Sequence, residues 1–123
     1  MSARRFMVAL AVAAAVVGIT ASSLLASRGQ TQTTTVKVTA GVGNALKFSL
    51  SRKSAPAGTV KFVVTNASTI PHDFQIAGKK TTVLGKGKSA TVIVKLTKGK
   101  SYPYKCTVDG HAAAGMKGTF KAT

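Results

Sequence analysis

From Val36 onward the chain alternates apolar and polar residues in short runs. Val36 and Val38 alternate with Lys37 and Thr39, and Leu46, Phe48 and Leu50 with Lys47 and Ser49. Val60, Phe62 and Val64 alternate with Lys61, Val63 and Thr65, and Val92, Val94 and Leu96 with Thr91, Ile93 and Lys95. Tyr102, Tyr104 and Cys106 share one face of a further run, and Phe120 lies between Thr119 and Lys121. A period of two, rich in β-branched residues, is the pattern of a half-buried strand. Turn-forming clusters separate the runs: Gly41-Val42-Gly43-Asn44, Ala55-Pro56-Ala57-Gly58, Gly85-Lys86-Gly87-Lys88 and Lys98-Gly99-Lys100. No stretch after residue 35 carries an apolar stripe at helical spacing. About seven to eight short strands therefore predict an all-β, antiparallel sandwich.

The pattern is different ahead of this domain. Arg4 and Arg5 precede the run Phe6–Ala26, which carries no charge. A basic start followed by an apolar run is the form of an export signal. Cleavage fits after Ser23 or after Ala26. The run also has the length to span a bilayer, so an uncleaved anchor is the alternative. No cysteine follows it, which excludes a lipoprotein anchor. Three parts are expected: a signal or anchor over 1–26, a polar linker over 27–35 and one domain over 36–123. Either form of the leader puts the domain in the periplasm, outside the cell or on the outer face of the cytoplasmic membrane.

Composition narrows the chemistry. The 123 residues hold 18 Lys+Arg against 2 Asp+Glu, a formal net charge of +16. Two carboxylates, Asp73 and Asp109, cannot supply a calcium cage, a two-metal carboxylate site and a glycosidase pair at once. One cysteine excludes an internal disulfide framework and any cluster that needs several thiolates. Lys37, Lys47, Lys61, Lys95 and Lys121 take outward strand positions, and Lys79, Lys80, Lys86, Lys88, Lys98 and Lys100 fall in turns. Such a shell blunts sheet edges and attracts an acidic redox protein or an anionic envelope or membrane surface. No basic run interleaves with aromatics, so nucleic acid is not an expected partner. A domain of this size is expected as a monomer.

The segment from Tyr102 to Phe120 carries the candidate chemistry. Cys106, His111 and Met116 fall at even spacing, C-x4-H-x4-M, between two strand patterns. A loop between strands can fold three such side chains toward one point. Thiolate, imidazole and thioether form a soft ligand set that favours copper, and a His₂Cys site with a weak axial Met is the blue-copper arrangement. The second imidazole has one source, His72 in Ile70-Pro71-His72-Asp73-Phe74. Gly110 and Gly115 precede His111 and Met116 and suit tight or positive-φ turns. Singly, each residue has a plainer reading: a buried small thiol, a core thioether, a turn histidine. Jointly, the only Cys, both His and the one Met beyond the leader fall in the two loops required. Zinc accepts thioether poorly, and a Cys/His catalytic dyad would need an oxyanion site that nothing here supplies.

The C-x4-H-x4-M-x-G run with its upstream Pro-His-Asp-Phe resembles the cupredoxin family of small type-1 copper proteins, plastocyanin- and azurin-like, over about residues 36–123. The resemblance implies a Greek-key sandwich and one copper ion held by His72, Cys106, His111 and Met116. It implies single-electron transfer rather than enzymatic turnover. It implies that the N–H of Asp73 bonds the thiolate, and that the edge of His111, with Ala112, Ala113 and Ala114, is the electron port. Copper delivery or storage is the rival use of the same ligands. This chain departs from the family pattern in carrying Asp109 where many relatives have Pro, Asp73 where Asn is common, and Pro103 inside the strand leading to Cys106. Asp73 is read as a tie between loops, and Tyr102 and Tyr104 as core aromatics rather than electron relays.

Overall fold

The structure, a computed structural model, describes residues 31–123. The apolar run read as a signal or anchor lies outside the described residues. Nine strands form two facing sheets: β1 (Thr34–Ala40), β2 (Phe48–Leu50), β3 (Ser54–Ala55), β4 (Gly58–Asn66), β5 (Gln75–Ile76), β6 (Lys79–Lys80), β7 (Ser89–Leu96), β8 (Ser101–Lys105) and β9 (Lys117–Ala122). One sheet has the order β2-β1-β4-β7, the other β3-β9-β8-β5-β6. The runs of alternating residues fall on strands with their apolar faces inward, except that Leu46 lies just before β2 and Cys106 just after β8. Val36 and Val38, Val60, Phe62 and Val64, Val92, Val94 and Leu96, and Phe120 are all buried.

Two features differ from the sequence expectation. The sandwich is not wholly antiparallel: β1 runs parallel to β4 over seven residue pairs, and β3 parallel to β9. The chain leaves the first sheet at the edge strand β2, touches the second sheet as β3, and returns as β4 beside β1. That excursion supplies the crossover a parallel neighbour needs. Lys79 and Lys80, placed in a turn by composition, form β6 and pair with Ile76 and Gln75. The hairpin closes at Ala77-Gly78, both at positive φ (49° and 74°), as a two-residue primed turn requires. Pro103 is tolerated because β5 ends at Ile76, opposite Tyr104. Beyond that point β8 has a neighbour on the β9 side alone.

Aromatic rings fill the space between the sheets. Phe62 packs edge-on against Phe120 at 5.1 Å between centroids, and Phe48 edge-on against Phe74 at 5.2 Å. Tyr104 joins them at 5.5 Å from Phe74, and it sits in the core as expected. Each such pair contributes about 0.5–1.5 kcal/mol beyond the area it buries. Tyr102 is half-buried at the margin, where its hydroxyl accepts the Thr97 N–H at 2.7 Å. A second, smaller cluster of Ala40, Cys106 and Met116, with Leu46, Phe48 and Val108 against it, continues the core toward one end.

The Tyr104 ring lies over Gly118, its cross-strand partner. A Cβ at Gly118 would come within 2.3 Å of the Tyr104 hydroxyl oxygen and 2.5 Å of the adjacent ring carbon. Gly118→Ala is therefore expected to cost about 1–3 kcal/mol through overpacking. The check is a lower urea midpoint at unchanged slope, with recovery when Tyr104 is also shortened to Leu.

Candidate metal centre

Four loops meet at the end where the small core cluster lies. They are the β1–β2 loop, the β4–β5 loop with His72, the β6–β7 loop, and the β8–β9 loop with Cys106, His111 and Met116. His72 lies in the loop beyond β4 but keeps its main chain paired. Its N–H donates to the Leu84 carbonyl at 3.2 Å, and its carbonyl accepts from Leu84 N–H at 2.7 Å. Asn66, at the end of β4, fixes the turn before it. The Asn66 amide donates to the carbonyls of Ile70 and Leu84, and its oxygen accepts the Ser68 N–H. Asn44 holds the same turn from the other side, its side-chain oxygen accepting from Thr69 N–H at 3.0 Å. Gly41 has φ 72° and lies so close to His72 that a Cβ would stand 2.8 Å from the ring Nε2. Only a residue without a side chain fits there.

The β8–β9 loop is folded by its own main chain. Cys106 N–H donates to the Met116 carbonyl and Met116 N–H to the His111 carbonyl, each at 3.0 Å. His111 N–H donates to the Val108 carbonyl at 3.1 Å. Gly110 and Gly115 hold φ of 78° and 109°, the left-handed backbone expected of them. These bonds close the segment into a compact ring that turns the side chains of its three chemical residues inward.

The result brings His72, Cys106 and His111 to one point, their donor atoms all within 4.8 Å of one another. The two Nδ1 atoms are 3.1 Å apart, and the Cys106 sulfur is 3.5 Å from Nδ1 of His111 and 4.0 Å from Nδ1 of His72. Met116, fully buried, packs in the same cluster as Cys106. Cys106 and His72 are fully buried too, whereas His111 is half-exposed. The electrostatics favour the uncharged form of both buried ligands, the protonated thiol of Cys106 and the neutral imidazole of His72. Burial pushes the Cys106 thiol up, while N–H groups of Asp73 and Val108 that point at the sulfur pull it down. Burial also holds the His72 imidazole below its ordinary value, and a charge on His111 adds to that. A buried thiol beside two imidazole nitrogens exchanges its proton for one kind of replacement, a bound metal cation.

The donors fit copper. Three lone-pair donors about 2.0–2.3 Å from a common ion would have mutual separations close to those observed. Thiolate and thioether select a soft metal, and the two imidazoles suit copper in both its oxidation states.

The comparisons agree. The sequence matches the cupredoxin-like domain over residues 8–119. The chain belongs to the cupredoxin family. Its fold is shared with dithionite-reduced auracyanin from Roseiflexus castenholzii, at 21% identity over 73% of this chain and 97% of that one, TM-score 0.62. Auracyanin A of Chloroflexus aurantiacus, a "blue" copper protein, matches at 17% identity over 75% and 100% of the two chains, TM-score 0.61. Rusticyanin from Thiobacillus ferrooxidans matches at 23% identity over 74% and 77%, TM-score 0.62. No curated protein matches the sequence. In this cupredoxin, His72, Cys106, His111 and Met116 form a type-1 copper site.

Several residues that build the cupredoxin site carry no chemical signature of their own. Gly41 reads as an ordinary turn glycine, Asn66 as the end of a strand, and Val108 as loop filler. Thr107 follows the cysteine and turns out to be the partner of Asp73. The Asp73 carboxylate accepts the Thr107 N–H at 2.5 Å and also the Thr107 hydroxyl. Asp73 is only 2% exposed, so this pair ties the His72 loop to the Cys106 loop in the interior. Asp73→Ala would leave the Thr107 donors without an acceptor. It is expected to cost about 1–3 kcal/mol. Urea unfolding of the copper-free protein checks this, since the loss must appear without the metal.

Proposed function

We propose that the protein is an exported one-electron carrier that works at the outer side of the cytoplasmic membrane. The observation that carries the reading is the asymmetry of burial in the ligand set. His72, Cys106 and Met116 are fully buried, and His111 alone reaches the surface. Such a site has no open face for a substrate, but it has an edge through which an electron can pass. Bound copper supplies the Cu(I)/Cu(II) couple. The protein's own residues do the rest. Main-chain ties from Leu84, Met116 and Val108 hold the ligands in place whatever the charge at the centre. Phe48, Leu46 and Val108 exclude water from the sulfur side. Little has to move when one electron arrives or leaves, which favours fast transfer.

The surface around the port supports a docking role. Ala112 is half-exposed, and Ala113 and Ala114 are exposed beside His111. Of the four large hydrophobic side chains exposed among the described residues, Val42, Ile70 and Val83 lie in loops at the metal end, and only Ile93 does not. We assign His111 with Ala112, Ala113 and Ala114 as the electron port, and an acidic redox protein as the partner that the lysine shell attracts. Export is supported by Arg4, Arg5 and the uncharged run to Ala26.

Loading with Cu(II) should give an intense visible thiolate-to-copper band and a reversible one-electron wave. Cys106→Ser should abolish the colour. A colourless wild-type holoprotein, or irreversible release of Cu(I) to an acceptor apoprotein in place of electron exchange, would contradict the reading. Met116→Leu should keep the copper but raise the potential, because an apolar side chain at this position would remove thioether donation to Cu(II); voltammetry of both proteins decides it. Electron exchange with an acidic partner should slow steeply as salt passes about 0.1 M, where the Debye length is about 10 Å. Stopped-flow rates across a salt series measure that slope.

A further inference from the structure

We propose that the end of the sandwich opposite the metal docks on an anionic membrane surface. β1, β4 and β8 all run toward the metal end, so the turns that precede β4 and β8 gather at the other pole. Five exposed cations collect there: Arg52, Lys53, Lys98, Lys100 and Lys121. Their main chains are neighbours. Lys121 N–H donates to the Lys53 carbonyl at 3.1 Å, and Ala122 N–H to the Lys100 carbonyl at 2.9 Å. Gly99 N–H donates to the Ala122 carbonyl, which draws the Lys98 turn to the same place. No carboxylate side chain of the described residues opposes them, because Asp73 and Asp109 both belong to the metal-end loops.

The course of the chain points the same way. β1 begins at this pole, where Thr34 pairs with Val60. Residues 27–33 therefore link the pole to the uncharged run Phe6–Ala26. Fully extended, a link of that length spans at most about 25 Å. An apolar run within that reach and a cationic face that no acidic side chain of the described residues opposes both match a bilayer with anionic headgroups. A flat headgroup layer engages all five cations together. The metal end carries as many cations, Lys47, Lys86, Lys88, Lys105 and Lys117, but mixed with Asp109 and with exposed Val42, Ile70 and Val83, so the two ends differ in what accompanies the charge. Docked by its basic pole, the domain presents His111 away from the bilayer. The proposal needs no copper, so it stands or falls apart from electron transfer.

Lysine footprinting tests it on the full chain, with and without copper. The probe is vesicles of phosphatidylcholine and phosphatidylglycerol in a three-to-one mixture, against phosphatidylcholine alone. Acetylation of Lys53, Lys98, Lys100 and Lys121 is expected to slow at least about three-fold on the anionic vesicles, while Lys47, Lys86, Lys88, Lys105 and Lys117 stay reactive; each cation near such a surface strengthens binding about five-fold. Protection of the metal-end lysines instead, equal protection on both vesicle types, or none at all overturns the proposal. So does protection by polyglutamate without protection by vesicles, which would identify an acidic protein as the occupant. Replacing Arg52, Lys53, Lys98, Lys100 and Lys121 together by Gln should abolish the preference for anionic vesicles. If the preference persists in that variant, the pole is not its source.

Discussion

The buried thiol of Cys106 is the constraint on which the structure turns. It lies at 0% exposure beside two imidazole nitrogens, in surroundings that favour its proton over its charge. A sulfur so placed is useful only if its neighbours cannot drift, because metal binding needs all donors at once. The fold meets this by drawing ligands from two loops and locking each loop to a sheet. Leu84 pairs with His72, Met116 pairs with Cys106, and the Asp73–Thr107 bond closes the gap between the loops. The aromatic stack of Phe62, Phe74, Phe120 and Tyr104 below them is the rigid floor.

Sequence periodicity alone locates the strands whose inward faces are long, such as β4 and β7, because side-chain alternation is a direct consequence of strand geometry. It does not reveal β3, β5 or β6, which have two residues each and no period to read. Nor does it reveal that β1 and β4 run parallel, since direction depends on the route of the chain between them rather than on either strand. The ligands are legible because rare residue types fall at a spacing that a loop can close. Their supports are not. Gly41 is required by a close approach across space, and Asn66 by three main-chain groups that no local pattern announces. Asp73 sits next to a ligand and suggests a tie between loops, but its partner Thr107 emerges only from the packing.

Charge and chemistry occupy the molecule differently. The composition is dominated by lysine, yet no lysine is part of the copper site, and the one buried carboxylate spends both oxygens on Thr107. The cations lie on the outer faces and turns, where solvent screens them, and under the proposed function they would act on a partner at range rather than on the metal. The three exposed hydrophobic side chains of the metal-end loops act only at contact. Long-range attraction and short-range fit are thus assigned to different residues, so an encounter can be quick without the complex being long-lived.

His72 and Cys106 are separated by 34 residues and belong to loops that emerge from opposite sheets. The pairing of those sheets is of high contact order, with parallel neighbours distant along the chain, and such topologies fold in milliseconds to seconds rather than microseconds. The nascent chain therefore has no complete binding set to offer until both sheets have closed. A complete set of copper ligands is thus a property of the closed sandwich and of neither loop alone.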